Sequence, residues 1–546
     1  MNKLLLIIIV LLFASCSKEE QSKQIYYVNS ETGSDTNNGM TPETAWKSFD
    51  RITKIELKPG AQILLASGSV FQGGLVLEDV SGTSDSPVEI SMYKYSENTN
   101  LPVIDAKGFT NGITLLNCSN VVVSDLEITG NGGGVVQPGN SGQNMHCGVL
   151  VTTTTEGVYE NIQLKNLKIR DVFFEDAGYK RGKDEVRTAN GTQSYGWGIR
   201  VINQLEKAEI KSIVIENCVV SNVSHTGIKL TGRNQNISDV KLCNNRVLFS
   251  GGPGMQMSGV KNAHIQKNYI DHSGSNNDSR KWGRGSGLWT WGCSDVLIEH
   301  NSFRNANGPG DSAGCHIDFN CKNVVVQYCF SENNAGGFCE ILGNNYNCAY
   351  RYNISVNDGH RVKGENGAFQ EGKIFWLSGY NGDKPRKGPF NSYFYNNTIY
   401  VKKDIVTKIA VDRASSGVLI ANNIFCIEGE SKAVQGDQYK PETEGQSQVE
   451  NIVFKNNLYL KKENWPVDVL IQDEDQIIGD PQFKNPGGLN KEDYIPGNID
   501  LIKDKGIKIE PIPGDPIGLT IGLDVEYDYF GNKIEGLPDL GAIQCK

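Results

Sequence analysis

The sequence predicts an all-β fold, a parallel β-helix in which short strands stack coil upon coil, and three features carry that prediction. The first is a β-type run with Asn two residues before an apolar position: Asn245-Arg-Val247, Asn268-Tyr-Ile270, Asn301-Ser-Phe303, Asn397-Thr-Ile399, Asn423-Ile-Phe425 and Asn457-Leu-Tyr459. Asn166, Asn217 and Asn353 fit the same series, the intervals from Asn217 are 28, 23 and 33 residues, and a further 28 lands on Cys329. The second is a Gly-led strand: Gly198-Ile-Arg-Val, Gly227-Ile-Lys-Leu, Gly254-Met-Gln-Met, Gly287-Leu-Trp-Thr-Trp, Gly314-Cys-His-Ile-Asp-Phe and Gly337-Phe-Cys-Glu-Ile, at intervals of 29, 27, 33, 27 and 23 residues. The third is composition: 61 glycines in 546 residues, well above the usual ~7%, with ordinary charge content, describe a folded, turn-rich chain. Two or three short strands per ~25-residue unit cannot bury an apolar face alone and must stack on their neighbours.

The elements follow in chain order. Residues 1–15 begin Met-Asn-Lys and continue with an apolar run, 4–13, too short for the ~20 residues that span a bilayer. With Ala14-Ser15-Cys16 it resembles a bacterial lipoprotein signal, and the resemblance implies lipidation of Cys16, with 16–24 as a tether. Residues 25–105 form the entry and cap. There Thr41-Pro-Glu-Thr precedes Trp46, Phe49 and Ile52, the pattern of a short capped amphipathic helix closing the open end of the core. Residues 106–460 are the main solenoid, interrupted by long insertions at 171–196, 272–285 and 362–388, and 461–546 close it. Loops of that length on a rigid scaffold carry function or wall a cleft.

The repeated Asn has a structural reading: an inward amide can satisfy backbone groups and the Asn one coil away where water cannot reach. Thirteen cysteines fall mostly inside apolar strand runs without a CxxC spacing, so buried free thiols are expected instead of a disulfide framework or a zinc site. The charge balance, 53 Lys+Arg against 63 Asp+Glu, excludes the basic face of a nucleic-acid binder.

The repeats, together with the opening Tyr26-Tyr-Val-Asn-Ser-Glu-Thr-Gly-Ser-Asp35 and the close Asp539-Leu-Gly-Ala-Ile543, resemble the right-handed parallel β-helix carbohydrate-active enzymes, a group of glycoside hydrolases and polysaccharide lyases. The resemblance implies a glycan substrate. Architecture does not fix the reaction, so the site must be argued from its residues.

If the residue after each Gly faces the core, the next faces out. The outward row is then Arg200, Lys229, Gln256, Trp289 with Trp291, and His316 with Asp318; Glu340 joins it when Cys339 faces inward. Asp318 and Glu340 are 22 residues apart, and neighbouring rungs ~4.8 Å apart would suit the ~5–5.5 Å carboxyl separation of a retaining hydrolase. Asp311, in Gly308-Pro-Gly-Asp, is the third candidate acid. Trp289 and Trp291 would stack on a sugar ring, His316 would bond a hydroxyl or aid proton transfer, and Arg200, Lys229 and Gln256 would line outer subsites.

The leading expectation is an exported, lipid-anchored hydrolase of the outer membrane, requiring no cofactor. The alternative is a lyase acting on a uronic-acid polymer, with Lys229 or Arg200 as base and Ca²⁺ as a possible companion. A non-enzymatic glycan-binding surface protein is the second alternative.

Overall fold

The computed structural model describes residues 23–134, 145–188, 190–434, 450–466, 473 and 475–545. The apolar run 4–13 and Cys16 lie outside these residues. The described chain is a parallel β-helix of three sheets with 14, 12 and 14 strands. Each turn of chain lays one strand on each sheet, as in Leu288–Trp291, Ser294–Glu299 and Ser302–Arg304, and the next turn opens directly alongside at Cys315–Ile317. All the strand pairings are parallel and in step, so inward residues stack in files: Val220, Val247, Ile270 and Phe303 follow one another on consecutive rungs and are fully buried. Eleven described cysteines are buried, eight of them in this interior, and Cys545 is half-buried, all as free thiols.

A second file is polar. Asn268 makes four hydrogen bonds: its Nδ2 donates to Leu242 O (3.0 Å) and Asn301 Oδ1 (2.9 Å), and its Oδ1 accepts from the N–H (2.9 Å) and Nδ2 (3.0 Å) of Asn245. The arrangement recurs from Asn353 to Asn397, from Asn397 to Asn423 and from Asn423 to Asn457, and closes on Asp473. Cys329, reached by the 28-residue interval, occupies a rung of the same file: its N–H donates to Asn353 Oδ1 at 2.9 Å and its Sγ receives Asn301 Nδ2 at 3.9 Å. Asn166 and Asn217 belong elsewhere. Their φ angles of 54° and 55° place them in the left-handed bend one residue before the file, and Cys218 holds the position in register with Asn245. A short corner file, from Asn334 to Asp358, has the same logic, with Asp358 Oδ1 accepting from the N–H and Nδ2 of Asn334 and Oδ2 from Ser355.

The predicted capping helix is two 3₁₀ turns instead. Pro42–Thr44 carries a reciprocal Thr41/Thr44 capping box, Ala45 then turns extended, and Ser48 caps a second turn, Phe49–Lys54. The two caps divide a segment too short to sustain one α-helix. Trp46, Phe49 and Ile52 still pack into the core as expected. The C-terminal segment runs back along the outside: Arg351 donates to Gly522 O at 2.8 Å, Asn396 to Asp539 O at 2.7 Å, and Leu540, Ala542 and Ile543 bury themselves with Phe330 and Ile354.

Two outcomes follow. Asn268→Leu leaves the buried Asn245 N–H and one hydrogen of its amide without acceptors and should cost ~3 kcal/mol or more in denaturant unfolding, whereas Asn166→Gly, at a left-handed bend, should fall within ~0.5 kcal/mol of the parent. Burial pushes Asp358 up to about 7. The folded protein therefore holds this proton more tightly than the unfolded chain, and stability attributable to the group falls as pH rises from about 4 to 7. Asp358→Asn, which mimics the protonated acid, should raise the thermal midpoint at pH 8 and not at pH 4.

Candidate active site

The Gly-led strands form the 12-stranded sheet, and their register sets the outward row. Arg200, Lys229, Gln256, Trp289 and His316 are level on consecutive strands. Pairing of Ile317 with Ile341 puts Glu340 level with His316, and Trp376 follows on the next strand. Cys339 and Ile341 are core residues, so Glu340 faces outward. Two residues further along lies a parallel row: Asp318 N–H bonds Thr290 O and Leu342 N–H bonds Ile317 O, which makes Trp291, Asp318 and Leu342 neighbours.

Asp318 is thus opposite Leu342, and Glu340 is its diagonal neighbour. One rung (~4.8 Å) combined with two residues of rise (~6.6 Å) separates their Cβ atoms by ~8 Å. Rung spacing alone therefore does not give the close carboxyl pair of a retaining enzyme, contrary to expectation; side-chain reach decides.

All three insertions fold over this part of the sheet. They wall a cavity of about 400 Å³ whose lining includes Trp289, Trp291, His316, Asp311, Asp318 and Glu340, so six of the nine residues proposed for catalysis and substrate contact meet in one place. Insertion 171–196 adds Arg187 and Asn190, 272–285 adds Arg284, and 362–388 adds Gln370, Tyr380 and Asp383. The repeat pattern gave no signal for these, because loop residues have no rung to fix them.

Arg284 ties the walls together. It is 3% exposed; its Nε and Nη2 donate to Asp311 Oδ2 at 2.9 and 2.5 Å, its Nη1 donates to the carbonyls of Val186 and Arg187, and its guanidinium stacks 5.3 Å from the Phe369 ring. One cation therefore contacts both other insertions and pairs with Asp311. The Asp311 backbone has φ of 50° and Ser312 of 69°, consecutive left-handed residues fixed by Gln370, whose Oε1 accepts the Asp311 N–H at 2.6 Å.

His316 stacks on Trp289, ring centroids 5.5 Å apart, and its Nδ1 lies 3.1 Å from Ser286 Oγ. Burial pushes the imidazole down to about 4, opposed by the Asp311 charge and reinforced by Arg284. The ring is neutral across the physiological range. Ser286 Oγ already accepts from Ala313 N–H, so its own proton can go to Nδ1, leaving the ring proton on Nε2. Of the tryptophan pair only Trp291 is exposed, at 41%; Trp289 is 6% exposed and its indole N–H has no partner among the described residues.

Arg200, Lys229 and Gln256 lie outside the cavity. Insertion 171–196 covers them: Gln256 Nε2 donates to Asn190 Oδ1 at 3.3 Å, Arg200 Nη1 to Gln193 Oε1 at 2.9 Å, and Arg200 and Lys229 sit 4.1 and 4.9 Å from the Trp197 ring. Burial, with the Arg200 charge adding to it, drives the Lys229 ammonium well below its usual range. Among the described residues no three His, Cys, Asp or Glu side chains converge as a metal site requires.

The chain is 24% identical, over 96% of its length, to a lacto-N-biosidase of Bifidobacterium longum subsp. longum. The chain spans 36% of that relative. The native structure of a GH136 lacto-N-biosidase from Eubacterium ramulus superposes with a TM-score of 0.50 at 18% identity, covering 84% of this chain and 68% of the other. XylC in complex with xylose superposes with a TM-score of 0.53 at 11% identity, covering 95% and 98%. No family model matches the sequence. These superpositions agree with the parallel β-helix expected from the repeats.

Lys229 offers a direct check on the buried row. Replacing an ammonium that has only like charge beside it by an apolar chain of similar length removes a desolvation cost, so Lys229→Met should raise the thermal midpoint at pH 7 and leave turnover within ~3-fold of the parent. Abolished turnover in a stable Lys229→Met protein would restore Lys229 as a base.

Proposed function

We propose that the protein is a glycoside hydrolase that takes the end of a glycan chain into the cavity walled by its insertions and releases a short saccharide. The observation that carries this reading is the meeting of three carboxyl groups, Asp311, Asp318 and Glu340, with an aromatic floor and a neutral histidine beneath three converging insertions. Similarity to a lacto-N-biosidase over nearly the whole chain supports lacto-N-biose as the released unit. Since that relative is far longer, activity and substrate are proposals for this chain.

Hydrolysis needs one carboxyl to protonate the departing oxygen and another to attack the sugar or activate water. Three carboxyls make three pairs, and Asp318, beside Trp291 and with Oδ1 accepting Phe319 N–H at 2.8 Å, belongs to two of them. Glu340 is its diagonal neighbour. Asp311, ion-paired with Arg284 and facing the same cavity, is the alternative partner. His316 would donate Nε2–H to a sugar hydroxyl, and the Trp289 N–H would find its partner there. The elimination alternative is less well supported because Lys229 and Arg200 lie outside the cavity.

We infer further that residues 1–15 direct export and that lipid on Cys16 holds the protein at a bacterial membrane, the outer membrane being the expected site. The ending Ala14-Ser15-Cys16 supports this. Membrane retention and normal processing of a Cys16→Ser protein would be incompatible with it.

The reaction is tested by screening neutral and acidic glycans, including glycans ending in lacto-N-biose, with product analysis. Hydrolysis gives a new reducing end without the ultraviolet-absorbing unsaturated sugar of elimination. Asp318→Asn should lose at least ~10²-fold in turnover with the fold intact, and whichever of Asp311→Asn and Glu340→Gln falls equally far is its partner. Trp289→Ala should weaken binding more than turnover. Full activity in all three amide variants would place the chemistry elsewhere.

A further inference from the structure

This cavity is not the end of the available surface. A second cavity, about 780 Å³, lies beside it, lined by Asn203, Thr231, Arg233, Gln235, Trp291 and Asn320 among others. Its walls come from the ends of five successive strands of the same sheet, from Gly196–Asn203 to Cys315–Ile317, and the bends after them, so it runs along the solenoid axis for four rung steps, ~19 Å. None of the three insertions contributes to it. Trp291 is common to the two cavities, and it is the aromatic side chain left 41% exposed.

The lining suits a hydroxyl-rich chain. Gln235 is held rigid, its Nε2 donating to Gly292 O at 3.2 Å and its Oε1 accepting from Ser294 at 2.9 Å. The buried Thr231 Oγ1 has no partner among the described residues, and Arg233 is exposed at the rim. The floor is flat by construction: a Cβ on Gly259, whose φ is 59°, would lie 2.4 Å from Gly232 O.

We propose that this groove is the subsite for the leaving-group side of the glycan, binding two or more neutral sugar residues beyond the scissile bond. The inference rests on the hydrolase reading and gives it a direction. The insertions wall the first cavity, Asp318 stands level with Trp291 where the two cavities join, and the groove gives the uncleaved remainder a path along the solenoid axis. Trp291 would stack on the first sugar past the cut, with further hydroxyls bonded by Thr231, Gln235 and Arg233.

The test compares two substrates that share one terminal unit: an aryl lacto-N-bioside, and an oligosaccharide in which lacto-N-biose is followed by at least two more sugars. The wild-type enzyme should favour the oligosaccharide by ~10-fold or more in kcat/KM. The double variant Thr231→Val/Arg233→Ala should lose most of that preference through KM while its rate on the aryl glycoside holds. Equal rates on both substrates in the wild type, or an equal fall on both in the variant, overturns the groove alone. A binding arm is independent of turnover. Calorimetric titration of the Asp318→Asn protein should show the oligosaccharide at least ~10-fold tighter than free lacto-N-biose, and the added double substitution should erase the gap. That gap without cleavage of either substrate would overturn the reaction and keep the groove; neither cleavage nor the gap would overturn both.

Discussion

Everything in this molecule depends on rungs staying in register, and the amide file is what forbids slippage. Apolar files tolerate a one-coil offset because Val, Ile and Phe exchange places at modest cost. A buried Asn does not, since each Oδ1 accepts from the backbone and the side chain of the previous rung, and displacement would leave four polar atoms unpaired in a dry interior. Registration inside fixes registration outside. The rows Trp289–His316–Glu340 and Trp291–Asp318 are level because the strands beneath them cannot shift.

The solenoid supplies position and the insertions supply walls. Repetition can lay out a row of side chains at constant spacing, but it cannot surround a ligand, since every coil presents the same shallow face. Three departures from the repeat solve this, and Arg284 couples them by contacting the other two insertions and Asp311. A loss at Arg284 would act on the carboxylate and on the walls together.

The fold was legible because two short signals, the Asn series and the Gly-led strands, recur in step and each has one physical meaning. The site was legible where it shares that periodicity: Glu340, His316, Trp289 and Trp291 are strand residues, Asp318 directly follows its strand, and alternation turns them outward. Asp311 was visible only as an acid in a Gly-Pro-Gly turn. Arg284, Asn190, Gln370 and Tyr380 reach the cavity from loops, where no period links sequence to direction. The misreadings have local causes. Asn166 and Asn217 have the right neighbours but sit one residue early, in bends that Asn also favours, and Arg200, Lys229 and Gln256 do point outward but lie beneath an insertion that outward-facing logic cannot see.

The amide file also gives the solenoid a direction. Along the file every Asn donates one amide N–H to the next rung and accepts from the previous one, while its second N–H returns to a carbonyl of the previous rung, so the rung-to-rung bonds all point one way along the axis as backbone bonds do in an α-helix. The file must then end on a group that accepts without donating, and it does: Asn457 gives its proton to Asp473, as Asn334 in the corner file gives its proton to Asp358. An amide at the Asp473 end would leave an N–H with no taker, and the aspartate there does for the solenoid what an acidic N-cap does for a helix, whereas at Asp358 the Ser355 hydroxyl can take such an N–H. Cys329, able to accept weakly and unable to pass on a side-chain proton as an amide does, divides the file into two lengths, and the division falls in the coil between Asp318 and Glu340.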